Sequence, residues 1–172
     1  QGKSTSAECI TSLLGLEGLQ TFVLYPSGTQ SASDKHVESI AELLEADSVA
    51  YYYPEHAEKA VGKFGQTKGW RRSKLVTSAG FTVEAVGLDS KVRGIKQGNI
   101  RPTGVVLDDV DETGDSKHIT NKRWATLTNA VLPAGATDGS TYVMAVQNMV
   151  SPEGVMARIV NHKDGVLRNA VV

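Results

Sequence analysis

Cysteine is almost absent from this chain, with Cys9 alone among 172 residues. A single thiol excludes an internal disulfide framework and fits a reducing cytosol. Long apolar runs are absent too, and none approaches the length that crosses a bilayer. Net charge is close to nil: with 18 basic against 19 acidic side chains, contact with nucleic acid has to come from local basic patches. There are no internal repeats and no low-complexity tracts, which excludes solenoids and linker-dominated chains. What remains is a length that buries one substantial core, read most simply as one domain.

The most informative stretch runs from Gly104 to Glu112, Gly-Val-Val-Leu-Asp-Asp-Val-Asp-Glu. An apolar run bounded by Pro102 and a carboxylate cluster predicts a buried parallel strand that ends in acid. Strand ends of this kind hold Mg²⁺, a hard cation that binds through one or two carboxylates plus the phosphates of its substrate. By itself the run also fits a core strand with a solvated acidic turn. The opposite end of the chain, Gln1-Gly2-Lys3-Ser4-Thr5, matches the second half of a phosphate-binding loop, Gly-Lys-[Ser/Thr]. In a complete loop, backbone N–H groups wrap the phosphates, the Lys reaches the terminal ones, and the neighbouring hydroxyl ligates Mg²⁺. Gly2, Lys3 and Ser4 would take those roles, with Thr5 on the opening turn of a helix. Because residue 1 falls inside the motif, the expectation is a fragment.

Ser4 to Leu14 predicts a helix with Ala7, Ile10, Leu13 and Leu14 on its buried face, ended by Gly15 and Gly18. Its N-terminus would meet the phosphate. Thr21 to Tyr25 reads as a strand broken by Pro26 and Gly28. Residues 31–45 read as a helix burying Ala32, His36 or Val37, Ile40, Leu43 and Leu44, with Gln30 in the preceding turn. His36 has no second His or Cys at metal spacing and reads as a helix-surface residue. Tyr51, Tyr52 and Tyr53 read as packing on the neighbouring helix, in preference to stacking on bases.

Lys63 to Lys74 holds Lys63, Lys68, Arg71, Arg72 and Lys74, with Trp70 among them and no acidic residue. That composition suits a phosphate-tracking surface and, about equally, a solvated loop. Lys74–Thr77 and Phe81–Val86 predict a hairpin turning at Ser78-Ala79-Gly80. A glycine-containing loop follows with Lys91, Arg93, Lys96 and Arg101, which act either as a phosphate or DNA sensor or as ion-pair partners of the Asp residues. Asp115 or Ser116 would cap a helix through Trp124, Leu127 and Ala130, with Thr120 as a later start. Thr141 to Val146 predicts another buried strand, ending in Gln147-Asn148, and a helix from Pro152 runs through Val155, Met156, Ile159 and Val160 toward His162. This order of elements predicts an α/β fold with a mostly parallel sheet.

Four features resemble the ATPase domain of the large terminase subunit, the DNA-packaging motor of tailed bacteriophages. They are Gly2-Lys3-Ser4-Thr5; the strand-turn-helix from Phe22 to Leu44 with Ser27-Gly28-Thr29-Gln30 and Ala32; Val92-Arg93-Gly94 followed by Arg101-Pro102; and Val105-Val106-Leu107-Asp108-Asp109. Lys3 and Asp108 lie 105 residues apart, a spacing similar to that family's, and the resemblance covers nearly the whole chain. Its most specific part is the Arg-Gly segment ahead of the acidic strand. The fold it implies is a P-loop NTPase of the RecA-like (ASCE) type, a mostly parallel sheet with helices on both faces, N-terminally truncated.

Residue by residue, the resemblance makes Gly2, Lys3, Ser4 and Thr5 the nucleotide-binding residues, and Ser4 and Asp108 the Mg²⁺ ligands, Asp108 being the Walker B carboxylate. Asp109 stands where the family commonly has a Glu that activates water, with Asp111 and Glu112 as alternatives. Gln147 matches the coupling motif that senses the terminal phosphate, whose commoner forms contain Thr, and Arg93 and Arg101 are candidates for the arginine that neutralises the transition state. Implied with them are ATP and Mg²⁺ as cofactors, double-stranded DNA, portal and small terminase subunit as partners, a homo-oligomer, no membrane, and the cytoplasm of the infected bacterial host. On this reading residues 1–172 are a partial ATPase domain, with a strand and an adenine-contacting segment ahead of residue 1 and a nuclease domain after residue 172. Loss of that strand, central in such sheets, would leave a gap in the middle of the core. Such a fragment is expected to hydrolyse ATP weakly or not at all, because half of the phosphate cradle is missing. Two other readings stand beside the motor: a non-catalytic scaffold or DNA-contacting remnant, and another P-loop ATPase such as a helicase.

Overall fold

A computed structural model describes residues 2–90, 95, 100–136 and 138–161. Lys91, Val92, Arg93, Gly94, Lys96 and His162, singled out above, lie outside the described residues. The helices are α1 (Lys3–Leu16), α2 (Gln30–Leu44), α3 (Asp47–Tyr52), α4 (Pro54–Ala57), α5 (Lys117–Thr126) and α6 (Val155–Val160). The strands are β1 (Phe22–Ser27), β2 (Trp70–Arg71), β3 (Lys74–Val76), β4 (Thr82–Gly87), β5 (Gly104–Asp108) and β6 (Tyr142–Val146). They form one sheet in the order β2-β3-β4-β1-β5-β6. The four strands from β4 to β6 are mutually parallel, and the β3–β4 hairpin and β2 extend the sheet antiparallel.

Alternation along the central strands sorts side chains onto two cores. Val23 and Tyr25 of β1 and Val106 of β5 face one way, onto Ala7 of α1 and Val37, Ile40 and Leu44 of α2. Phe22, Leu24, Val105 and Leu107 face the other way, onto Leu127, Val131, Val155 and Ile159. Helices therefore cover both faces, as a parallel sheet requires. Asp108 falls on the same face as Val106, the side of α1 and α2, and this one parity decides where its carboxylate goes. Pro26 lies opposite Val86 of β4, but the odd-numbered residues of β1 bond toward β4 and the even-numbered ones toward β5, where pairing covers only Val23 and Leu24, so no ladder donor is lost.

Several local expectations hold, including the buried β5, the α2 face, the hairpin, and Ser116 as the cap of α5, accepting from the Ile119 N–H. Others are corrected. Among the described residues the sheet has no central gap: β5 lies between β1 and β6, and β6 is the last strand, with Tyr142 and Ala145 exposed, so it is not a buried strand. Helix α1 buries Ala7, Glu8, Thr11, Ser12 and Gly15, leaving Ile10 and Leu13 exposed. The polar positions win because Glu8 meets His36 of α2, while Thr11 and Ser12 donate back to the carbonyls of Ala7 and Glu8. Gly15 lies inside α1, where a Cβ would come within 2.4 Å of the Phe81 ring, and Gly18 follows the helix at φ +68°. Tyr51 and Tyr52 pack edge to face on each other and stay exposed, and Tyr53 alone reaches back, donating to Glu17.

Candidate functional site

In parallel sheets the carboxyl ends of the strands are where ligands bind, because loops there are free of the ladder and helix N-termini converge on them. Here that edge carries a cleft of about 340 Å³ lined by Gly2, Lys3, Ser4, Thr5, Asp108, Asp109, Val146, Gln147 and Asn148. Lys3 and Asp108 thus line one cleft. Gly2 starts α1 at φ +97°, a left-handed conformation that favours glycine, and no side chain caps the helix. Among the described residues the first helical hydrogen bond goes from the Ser6 N–H to the Gly2 carbonyl, and the N–H groups of Lys3, Ser4 and Thr5 belong to the first turn, whose residues line the cleft. The Lys3 ammonium donates to Asn148 Oδ1 at 2.5 Å, joining the start of α1 to the tip of β6.

Asp108 ends β5 with only 1% of its surface exposed. Its Oδ2 accepts from the Tyr25 hydroxyl at 3.1 Å and lies 3.7 Å from His36 Nε2, an ion-pair distance. The other imidazole nitrogen, Nδ1, faces Glu8 Oε1 at 2.7 Å, and the ring stacks at a tilt on Tyr25, centroids 4.9 Å apart. Burial first, then the charge of Asp108, raises the Tyr25 phenol far above its ordinary value, so this hydroxyl keeps its proton and acts as a donor. His36 is therefore no surface residue, since α1, α2 and the sheet close around it.

Asp109 follows with φ +46°, the one positive value at a non-glycine position among the described residues. Such a conformation costs about 1–3 kcal/mol and persists only when neighbours over-determine it. Three contacts do so. The Gly28 N–H donates to the Asp109 carbonyl, while the N–H groups of Val110 and Asp111 donate to Gln147 Oε1 at 2.6 and 3.1 Å. Gln147 Nε2 returns a bond to the Asp111 carbonyl, so the Gln147 side chain is spent on the loop backbone, and Asn148 is the β6-tip residue that reaches Lys3.

The two alternative carboxylates have structural partners. Asp111 is buried and accepts from the N–H groups of Val155 and Met156 at 2.7 and 2.9 Å, fixing the start of α6. Glu112 pairs with Arg123, a buried guanidinium that also donates to Asp115 and to the Val110 carbonyl. Asp109 is the exposed carboxylate left beside Asp108 in the cleft. Arg101 is not brought to this site: it precedes β5, at the end of the strand opposite Asp108, where its guanidinium donates to the Gly135 carbonyl. Of the basic segment, Lys74 pairs with Glu84 and Arg72 with Glu38, while Lys68 and Arg71 line a separate open groove with Asp34 and Glu84.

Among the described residues no group of three or more His, Cys, Asp or Glu side chains converges as a metal cage. Mg²⁺ does not need one, since it keeps waters and binds through one or two carboxylates and substrate phosphates. Asp108, whose Oδ1 has no hydrogen-bond partner among the described residues, lines the cleft with Ser4 and Asp109, residues of the kind that could hold such an ion. No described helix is long and apolar enough to cross a membrane.

Fold and site together define the class: an α/β protein with a mostly parallel six-stranded sheet, helices on both faces, and a polar cleft at the carboxyl ends of β5 and β6. No protein-family model matches the chain, and no curated protein matches it.

Proposed function

We propose that this chain is the nucleotide-binding core of a P-loop ATPase of the terminase large-subunit type, in which Mg²⁺-dependent ATP hydrolysis drives DNA translocation. The observation that carries the proposal is the meeting of Lys3 and Asp108, 105 residues apart in sequence, in one cleft at the carboxyl edge of the sheet. Phosphate would lie over the N-terminus of α1, where first-turn N–H groups and the helix dipole favour negative charge and Lys3 supplies a full positive one. Ser4 and Asp108 would hold Mg²⁺, which neutralises charge developing on the phosphates. Asp109, locked in its backbone and exposed in the cleft, would orient water. Asn148 is the phosphate-sensing residue of the β6 tip in this reading, and Gln147 supports the loop that carries both aspartates. Double-stranded DNA, a portal, a small subunit and further copies of the chain are the partners that the resemblance adds.

The test is titration of the chain with a fluorescent ATP analogue in the presence of Mg²⁺, with unlabelled ATP as competitor. Competed binding that is lost in both Lys3→Ala and Asp108→Asn is expected. Binding that neither substitution changes, or none at millimolar nucleotide, would overturn the assignment. Double-stranded DNA added to the same titration distinguishes a DNA motor, in which it shifts nucleotide affinity, from an ATPase that acts on something else.

A further inference from the structure

We infer that Tyr25 and His36 are positioning residues for Asp108: between them they engage one oxygen of its carboxylate and leave the other to a divalent cation. The inference rests on the nucleotide-site reading and adds to it two residues that no phosphate-loop or acidic-strand motif contains.

The geometry is asymmetric about the carboxylate. Oδ2 accepts from the Tyr25 hydroxyl and lies 3.7 Å from His36 Nε2, while Oδ1 has no hydrogen-bond partner among the described residues. The two residues that engage Oδ2 are themselves held. Tyr25 is fully buried in β1, and the His36 ring is stacked on it and fixed from behind by Glu8. Neither can follow the carboxylate if it rotates, so Asp108 has one preferred orientation.

Stability alone does not account for the arrangement. At a position 1% exposed, flanked on its face by Val106, an apolar side chain would avoid the desolvation of a carboxylate. A carboxylate so held is useful to a cation with strict demands. Mg²⁺ requires near-ideal octahedral geometry, and a ligand whose second oxygen is already hydrogen-bonded presents a single, oriented oxygen. The support also reaches the phosphate end of the site. Glu8, which clamps the imidazole, stands on α1 five residues after Lys3, so the helix that brings the ammonium to the cleft also braces the metal carboxylate.

The experiment follows Mn²⁺, a paramagnetic substitute for Mg²⁺, by electron paramagnetic resonance on the whole chain with ATP present at fixed pH. Melting temperature is measured on the same samples. Tyr25→Phe removes the donor and keeps the ring, and is expected to weaken Mn²⁺ binding roughly 10- to 100-fold, the usual cost of losing a partner behind a metal ligand. Two His36 variants separate positioning from bracing. His36→Gln places an amide N–H near the position of Nε2, toward Asp108, whereas His36→Asn places one near Nδ1, toward Glu8. Positioning predicts that Gln retains Mn²⁺ binding better than Asn whichever of the two melts higher.

If Tyr25→Phe and His36→Asn bind Mn²⁺ like the unaltered chain while Asp108→Asn does not bind it, the inference is wrong and the nucleotide site stands. Loss of affinity that simply follows melting temperature across all the variants would also overturn it, in favour of a structural role. Unchanged Mn²⁺ binding in Asp108→Asn would sink the site and the inference together.

Discussion

The backbone N–H of Gly28 donates to the carbonyl of Asp109 at 2.9 Å, tying the residue after β1 to the residue after β5. The bond fixes Asp109 in its left-handed conformation from the side opposite Gln147. A Cβ at Gly28 would stand 3.1 Å from that carbonyl and 3.0 Å from Arg123 Cζ, a tight fit that the neighbours could accept only by yielding a few tenths of an ångström. Two adjacent carboxylates are thereby given different surroundings: Asp108 is buried and oriented, and Asp109 is exposed on a rigid backbone.

That difference predicts different phenotypes. Asp108→Asn should weaken Mg²⁺ and nucleotide binding together, because it removes a charged oxygen from a hard cation. Asp109→Asn should leave binding nearly intact and lower turnover by a factor on the order of 10² to 10⁴, the usual worth of a positioned general base. Binding and turnover are measured separately, in an ATPase-competent form of the protein. Should Asp109→Asn retain full turnover while Glu112→Gln abolishes it, water activation belongs to the residue paired with Arg123.

Asp111 should matter for folding rather than chemistry. Asp111→Ala leaves the N–H groups of Val155 and Met156 without their acceptor in a buried place, at a cost of about 1–3 kcal/mol for each unsatisfied group. Urea unfolding should show that loss, with nucleotide affinity of the folded fraction unchanged. An equally stable Asp111→Ala would mean that α6 starts without this carboxylate.

Alkaline pH should expose Tyr25. A free tyrosine loses its proton near pH 10, and burial followed by the charge of Asp108 holds the Tyr25 proton well above that. Above pH 10 the unfolded chain therefore binds fewer protons than the folded one, and stability falls as pH rises; below pH 10 this contribution is constant. Tyr25→Phe should reduce the slope of that alkaline loss by about 1.4 kcal/mol per pH unit, the worth of one proton. Urea midpoints between pH 9 and 11 test it, and identical slopes in the two proteins would rule it out.

Gly87 ends β4 against the start of α2, where a Cβ would come within 2.4 Å of the Gln30 backbone nitrogen. The Gly87 N–H also donates to Gln30 Oε1. Gly87→Ala should therefore push α2 from the sheet and cost about 1–3 kcal/mol, the usual price of overpacking, whereas Gly65→Ala, with open space around it, meets only its backbone conformation. Thermal unfolding of the pair separates steric from conformational cost.

Much of this architecture is legible in local pattern. Five consecutive buried residues from Gly104 to Asp108, the spacing of Val37, Ile40 and Leu44, and Ser116 three residues before the N–H it caps are short-range signals. Lys3, Ser4 and Asp108 are legible as residue types with a known use, and their meeting follows from the sheet order. The surroundings of Asp108 are not legible, because Tyr25 lies 83 residues away and His36 meets Glu8 across 28. No periodicity marks such partners. The inward face of α1 departs from the pattern for the same reason: hydrophobic spacing points to Ile10 and Leu13, while the buried face carries Glu8, Thr11 and Ser12, whose partners only the folded helix and its neighbours supply. Asp111 is a related case, since its role as an acceptor for α6 depends on residues 44 and 45 positions later.

The polar seam under α1 has a mechanical consequence. A helix docked through leucines comes away only by opening an apolar core, at a cost that scales with buried area. One that buries Glu8, Thr11 and Ser12 beside Ala7 has two of these turned inward on its own backbone, and the polar ties of its first half to its neighbours are the Lys3 bond to Asn148 and the Glu8 contact with His36. Such a helix is held by a few discrete polar contacts as well as by its small apolar footprint. In the proposed nucleotide site, a ligand that shifted the start of α1 would act on His36 through Glu8, and through His36 on Asp108.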